Sequence, residues 1–176
     1  MNSENLNRLQ IRRIVSLLPG AHVRLLSRLV GVSLNTAHYH ILRLERDGEV
    51  TCWRDGGHLR VYPPWVKEVR TRKVYALLQQ GAARKILRTM SRDAKPGRPL
   101  TNRLISDATG LSKSTVSEYL SLFLELQIAK RATPPDGGTT FELEEADRDR
   151  LLLIQRSMDK SLIQKATDSY LDLWEM

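Results

Sequence analysis

The sequence predicts a mainly α protein with small β-hairpins, built as two copies of one unit followed by a C-terminal helix. Three observations carry that prediction. Displacing the chain by 79 residues lays 24–36 onto 103–115 with six of thirteen positions identical: Arg24/Arg103, Leu25/Leu104, Ser27/Ser106, Gly31/Gly110, Ser33/Ser112 and Thr36/Thr115. Apolar residues in each copy recur at three- and four-residue intervals, as on helices with one buried face. Each copy also ends in two short runs around Asp-Gly-Gly, at 55–57 and 136–138, a sequence suited to a hairpin turn. The displacement exceeds that of a solenoid repeat and suits a duplicated domain. The 176 residues accommodate two such domains. The expected division is a first domain over 1–64, a linker helix over 65–81, a second domain over 82–143 and a C-terminal helix over 144–176.

In the first copy, Leu9, Ile11, Ile14, Val15 and Leu18 form a helical stripe that Pro19-Gly20 ends. A short helix is expected from about His22 to Val30, with Gly31 as a turn residue able to take positive φ. Ser33 is a good N-cap for a third helix whose inward stripe is Ala37, Ile41 and Leu44 and which Gly48 ends. Strands over 50–54 and 58–62 flank the turn, and Pro63-Pro64 closes the domain. The second copy repeats this order. A helix over 82–92 precedes a longer loop at 95–99 and a short helix over 101–109. Ser112 caps a helix with Val116, Leu120 and Phe123 inward, and the hairpin pairs 128–133 with 139–143 around 134–138.

Between the copies, 65–80 reads as a helix with Val66, Val69, Leu77 and Leu78 partly inward. Its Lys67, Arg70, Arg72 and Lys73 form either a solvated basic face or a basic strip that bridges contacts made by the two copies to one anionic partner. The tail carries Leu151, Ile154, Met158, Leu162, Ala166, Tyr170 and Leu173 at steps of three or four, enough for a helix-pairing surface. That stripe either pairs two chains into a homodimer or packs on its own chain.

Charge narrows the function. Lys and Arg total 28 against 20 Asp and Glu, a net of +8. Residues 1–64 carry +4 and 65–99 carry +8, while 100–143 carry −1 and 144–176 carry −3. The excess in the first 99 residues favours an anionic partner such as nucleic acid. Lys or Arg interrupts every long apolar stretch, so no membrane span is expected, and residues 1–8 lack the apolar core of a secretory leader. One cysteine, Cys52, excludes an internal disulfide framework and fits a reducing compartment. A cytoplasmic location is expected.

Helix, helix, turn, helix, hairpin is an order found in winged helix-turn-helix proteins. The stretch Gly31-Val-Ser-Leu-Asn-Thr-Ala-His-Tyr-His-Ile-Leu-Arg-Leu-Glu-Arg-Asp-Gly-Glu-Val50 resembles that family, as do the hairpin 55–62 and Gly110-Leu-Ser-Lys-Ser-Thr-Val-Ser-Glu-Tyr-Leu120. The chain is similar, more narrowly, to prokaryotic and especially archaeal regulators with two such domains in tandem. The resemblance covers about residues 9–143. It implies binding of double-stranded DNA, with each third helix in the major groove and the hairpin wing on backbone or minor groove.

Asn35, Thr36, His38, Tyr39 and Arg43 are then the candidate readers in the first domain. Asn can pair with adenine and Arg with guanine, while Thr and Tyr can hold base or phosphate. Arg54, His58 and Arg60 on the first wing would meet phosphate. In the second domain Lys113, Ser114 and Ser117 are the corresponding candidates, although Glu118 replaces Tyr39 and would repel phosphates. The second domain is therefore open between DNA contact and a structural or partner-binding role.

Four histidines (His22, His38, His40 and His58) and Cys52 offer no Cys-x-x-Cys or His-x-x-x-His pair, so no metal or other cofactor is expected. His40, with Tyr119 as its counterpart, is expected to pack beside its helix, and Cys52 to act as a small buried hydrophobe. No Ser, His and acid grouping points to an enzyme. The expected function is a DNA-binding transcriptional regulator, with no identified small-molecule effector. Sequence-neutral chromatin-type DNA binding, or a tandem winged-helix scaffold for protein partners, are the other readings.

Overall fold

A computed structural model describes residues 3–93, 100–133, 138–144 and 151. Seven helices and two small antiparallel sheets occur among them. They divide into two compact units that meet in sequence between Ala76 and Leu77.

In the first unit, α1 (Ser3–Leu17), α2 (Val23–Val30) and α3 (Leu34–Arg46) pack on one another. The expected stripes meet in the core: Ile11, Ile14, Val15 and Leu18 from α1 and the turn after it, Leu26 from α2, and Ala37, Ile41 and Leu44 from α3 are all buried. His40 joins them. Leu9 lies at the margin, half-buried. At Ala-truncation costs of about 2–5 kcal/mol for a large aliphatic side chain, any one of these residues is a large fraction of a small domain's stability.

Two strands, β2 (Thr51–Asp55) and β3 (His58–Tyr62), pair with Asp55 opposite His58. The turn is therefore the two residues Gly56-Gly57, with φ of 53° and 84°. Positive φ at both central positions is what a two-residue hairpin with right-twisted strands demands.

The hairpin is not alone. A two-residue strand, β1 (Ala21–His22), pairs antiparallel with β3 through Ala21↔Val61 and His22↔Arg60, giving a three-stranded sheet of order β1-β3-β2. His22, expected in the short helix, is its N-cap, and its Nδ1 accepts from the Leu25 amide at 3.1 Å.

An ionic clamp ties α1 to the end of α3. Arg8 binds Asp47 at 2.6 Å and also Glu49, which accepts from Arg12 at 2.6 Å. The two guanidiniums, Arg12 foremost, hold the Glu49 carboxyl below its ordinary range against the opposing effect of burial.

The expected linker helix is shorter at both ends than 65–80. Helix α4 spans Val69–Leu78. A turn at Pro64-Trp65 precedes it instead, in which the Val66 amide reaches the Pro63 carbonyl at 3.0 Å, and Arg72 Nε donates to the Val66 carbonyl at 3.0 Å. Val66, Leu77 and Leu78 are buried, but Val69 is exposed. Pro63-Pro64 fixes the chain in extended and turn geometry, so the helix starts only after it.

The second unit contains α5 (Gly81–Asp93), β4 (Leu100–Thr101), α6 (Asn102–Thr109), α7 (Lys113–Glu125), β5 (Ala129–Ala132) and β6 (Thr140–Leu143), with sheet order β4-β6-β5. Again a third strand joins the expected hairpin, and Thr101 caps its short helix through its side chain. Helix α5 packs on α6 and α7, burying Ile86, Leu87, Met90, Ile105, Val116, Leu120 and Phe123. The loop at 95–99 and the turn at 134–137 lie outside the described residues. So do the expected C-terminal helix and the stripe expected to pair chains, apart from Glu144, which is not helical, and Leu151, which is helical and buried.

The 79-residue register holds from β1 to α7: β1, α2 and α3 fall on β4, α6 and α7 residue for residue. Four of the six identities shape the turn between the two helices. Ser27 and Ser106 hydroxyls donate to the Val32 and Leu111 carbonyls at 2.9 and 2.7 Å. Ser33 and Ser112 accept from the Thr36 and Thr115 amides, both at 3.1 Å. Gly31 and Gly110 end α2 and α6 in the left-handed region. The register runs on into β2 and β5, where Cys52 pairs with Val61 as Arg131 pairs with Phe141, and has slipped by one residue at β3 and β6, since Val61 then falls on Phe141.

Candidate nucleic-acid interface

The surface of α3 follows from its capping and its buried stripe. Ser33 supplies the cap, and its hydroxyl also lies 2.8 Å from the Thr36 hydroxyl. Ala37, His40, Ile41 and Leu44 face the core. At about 100° per residue, the direction opposite that stripe is occupied by Asn35, Tyr39, Leu42 and Arg46, with His38 beside them. All five are exposed. Thr36 and Arg43 lie at the flank, half-buried.

The expected readers thus separate into two groups. Asn35, His38 and Tyr39 project from the outward face. Thr36 is engaged at the cap. Arg43 bends over Tyr39: its Nη1 donates to the Tyr39 hydroxyl at 2.9 Å, and its guanidinium carbon lies 5.6 Å from the ring centroid. That pairing orients the phenol and leaves Arg43 beside the face as its support.

On the hairpin, Arg54 and His58 are exposed. Arg60 is not. Its side chain is only 11% exposed, donating from Nε to Asp55 at 2.8 Å and from Nη1 to the Gly20 carbonyl at 3.1 Å. Its position opposite β1 explains this, since the third strand covers what would otherwise be a free edge. His58 has its ring 5.9 Å from that of His22. Burial chiefly, and then Arg60 and His58, lower the pKa of His22, which keeps its Nδ1 available as the cap acceptor.

Trp53, Arg72 and Tyr62 form a second stacked group. The Arg72 guanidinium lies 5.0 Å from the Trp53 ring and 5.6 Å from that of Tyr62. The buried Tyr62 hydroxyl donates to the Arg72 carbonyl at 3.2 Å, and burial raises its pKa to about 12. Arg72, read from sequence as one of a basic strip, is thus built into the unit's packing; Lys67 and Lys73 are exposed. Cys52 is half-buried, and its amide donates to Glu45 at 2.9 Å. Burial, with Glu45 nearby, raises the thiol pKa to about 12, so it stays protonated and a poor nucleophile.

In the second unit the outward residues of α7 are Ser114, Glu118, Ser121 and Glu125, again all exposed. Lys113 is exposed at the helix start. Ser114 lies 2.8 Å from the capping Ser112 hydroxyl, and Ser117 accepts from Asn102 Nδ2 at 2.7 Å. Asn102 Nδ2 also reaches the Lys113 carbonyl at 3.2 Å, which ties α6 to the start of α7. Of the two basic residues at the hairpin base, Lys130 pairs with Glu142 at 3.3 Å and Arg131 is exposed.

Position for position, Asn35, Tyr39, Leu42 and Arg46 are thus replaced by Ser114, Glu118, Ser121 and Glu125. The scaffold is repeated and the outward chemistry is inverted: two carboxylates stand where the first unit has a phenol and a guanidinium. Phosphate-lined grooves repel the former and attract the latter.

Sequence reasoning missed Leu42 and Arg46. The signal was present, because continuing the helical period from Asn35 through Tyr39 reaches both. Arg46 lies in the last turn of α3 and Leu42 well past its first turn, away from the helix start where base readers are expected.

Among the described residues no three His, Cys, Asp or Glu side chains gather as a metal-binding group. No helix of the described residues is long and apolar enough to cross a membrane.

No curated protein sequence matches the chain. The crystal structure of ScpB from Mycobacterium tuberculosis aligns with 82% of this chain and 96% of its own at 18% identity, with a TM-score of 0.34, too low to show a shared fold. Residues 82–132, the stretch from α5 to β5, match the IclR helix-turn-helix domain family.

Proposed function

We propose that the chain is a DNA-binding transcriptional regulator built from two tandem winged helix-turn-helix domains, of the prokaryotic and especially archaeal two-domain type, and acting in the cytoplasm without enzymatic activity. The match of residues 82–132 to a helix-turn-helix family supports it. The observation that carries the reading to the first unit is the residue-for-residue correspondence of β1, α2 and α3 with β4, α6 and α7. Helix α3 enters the major groove, with Asn35, His38 and Tyr39 on base edges and Arg43 holding Tyr39 in place. Arg54 and His58 approach phosphate from the wing. Helix α7, with Glu118 and Glu125 outward, plays a lesser part in DNA contact, limited to Lys113, Ser114 and Ser117 near its start. The C-terminal segment pairs two chains into a homodimer, which would place two α3 helices on a symmetric site.

The test is selection of duplexes from a random-sequence library by the full-length protein at physiological salt, followed by sequencing. A shared motif is expected. Asn35→Ala should then weaken the preferred site by about 1–3 kcal/mol and relax base choice there, while Ser114→Ala changes little. Equal losses on preferred and random duplexes would refute base reading by Asn35, and retention of no duplex would refute the DNA-binding reading.

A further inference from the structure

We infer that Leu42 is a specificity-determining residue that reads the 5-methyl group of a thymine. This inference rests on the DNA-binding reading of α3 and deepens it.

Of the large apolar side chains left exposed in the described residues, three are on α3: Leu34, Tyr39 and Leu42, at 46%, 49% and 49% exposure. A single exposed leucine needs no explanation. Three on one helix of thirteen residues, with a fully formed buried stripe behind them, do. The repeat provides an internal control. Where the same backbone recurs in α7, those positions are Lys113, Glu118 and Ser121. The helix and its caps are kept there without any outward apolar group, so neither the fold nor the turn requires Leu42 to be apolar.

Position separates Leu42 from the other two. Leu34 lies at the border between the outward and buried sides of α3. Tyr39 carries a hydroxyl bonded to Arg43. Leu42 lies near the centre of the outward stripe, one turn beyond Tyr39 and one before Arg46. It has no polar atom with which to hold phosphate or a base amide. The major groove offers few apolar groups, and the thymine methyl is the one that distinguishes bases there. Around Leu42, Asn35, Tyr39 and Arg46 supply the polar contacts that fix register. With no acid on the outward stripe to repel the backbone, the leucine can approach the base edges closely. An A·T pair contacted by Leu42 is therefore expected within the recognised motif.

The experiment uses the full chain and the duplex motif obtained by selection, with each thymine replaced in turn by deoxyuridine, which lacks only the methyl. At one position, wild-type protein should bind the uracil duplex about three- to fivefold more weakly, the effect of one buried methyl-sized group. Leu42→Ala should bind the thymine and uracil duplexes alike. Leu42→Ser serves as a second variant, because α7 already carries Ser121 at that position, and thermal unfolding checks that both variants are folded. Equal wild-type affinity for every uracil duplex overturns the inference and leaves the DNA-binding reading standing. Equal uracil losses in wild type and Leu42→Ala also overturn it, by assigning the methyl to another side chain. Selection of no duplex by wild-type protein removes the reading beneath it.

Discussion

Gln127 occupies a backbone position that its own repeat assigns to glycine. Helix α3 ends in a left-handed residue, Gly48 at φ 72°, whose amide donates to the Glu45 carbonyl at 3.0 Å while the Glu49 amide reaches Leu44 at 2.8 Å. Helix α7 ends with the same two bonds, from Gln127 to Leu124 at 3.0 Å and from Ile128 to Phe123 at 2.7 Å. Both are Schellman closures, but the left-handed residue of the second, at φ 53°, has a side chain. A left-handed non-glycine residue costs about 1–2 kcal/mol. Glycine gives back about 0.5–1 kcal/mol through its greater freedom in the unfolded chain. From the backbone alone, Gln127→Gly should therefore stabilise by about 0.5–1 kcal/mol. The reciprocal change, Gly48→Ala, should destabilise by about 1 kcal/mol from backbone strain alone, because a Cβ there meets nothing within 4 Å. Urea denaturation followed by circular dichroism measures both as midpoint shifts at constant slope. Gln127→Asn, which keeps the amide and tolerates left-handed backbone better, should fall between glutamine and glycine. A neutral or destabilising Gln127→Gly beside a harmless Gly48→Ala would show that these closures store no strain.

Other outcomes follow from the clamp and the caps. Because Glu49 titrates below its ordinary range when folded, its contribution is complete above the unfolded value near 4.5 and is lost as pH falls through the lower folded value. Glu49→Gln should thus cost about 0.5–1 kcal/mol at neutral pH, a modest figure because Arg12 is half exposed. It should also flatten the acid limb of a stability–pH profile, and an unchanged limb would remove the clamp from the explanation. Ser33→Ala and Ser112→Ala should each lose about 1 kcal/mol of stability. Ser33→Ala should weaken DNA binding no more than that loss of folding predicts, since the hydroxyl acts on α3 and not on the ligand. Binding measured at a temperature where both proteins are fully folded checks this.

Much of this fold was legible in the sequence because its signals are local. A helix that buries one face shows it as a three- and four-residue period, and Ile11, Ile14, Val15, Ala37, Ile41 and Leu44 are buried as that period requires. Capping is equally local: Ser33 and Ser112 bond to amides three residues on. The repeat was visible for the same reason, since its identical serines, glycines and threonines shape one turn twice. The third strands were not legible. A two-residue strand carries no alternation, and β1 exists only because β3, about forty residues later, returns to pair with it.

The duplicated order of elements, the buried stripes, the caps and the concentration of positive charge in the first 99 residues could be read directly, because each depends on neighbours a few positions apart or on composition alone. Which polar side chains face outward with their groups available depended instead on contacts that folding makes. Arg60 and Arg43 have the same formal charge as the exposed Arg54, yet one is held by Asp55 and the Gly20 carbonyl and the other by Tyr39. Whether a guanidinium meets solvent or its own protein depends on chain segments brought together by folding, and Gly20 lies forty residues from the arginine it binds.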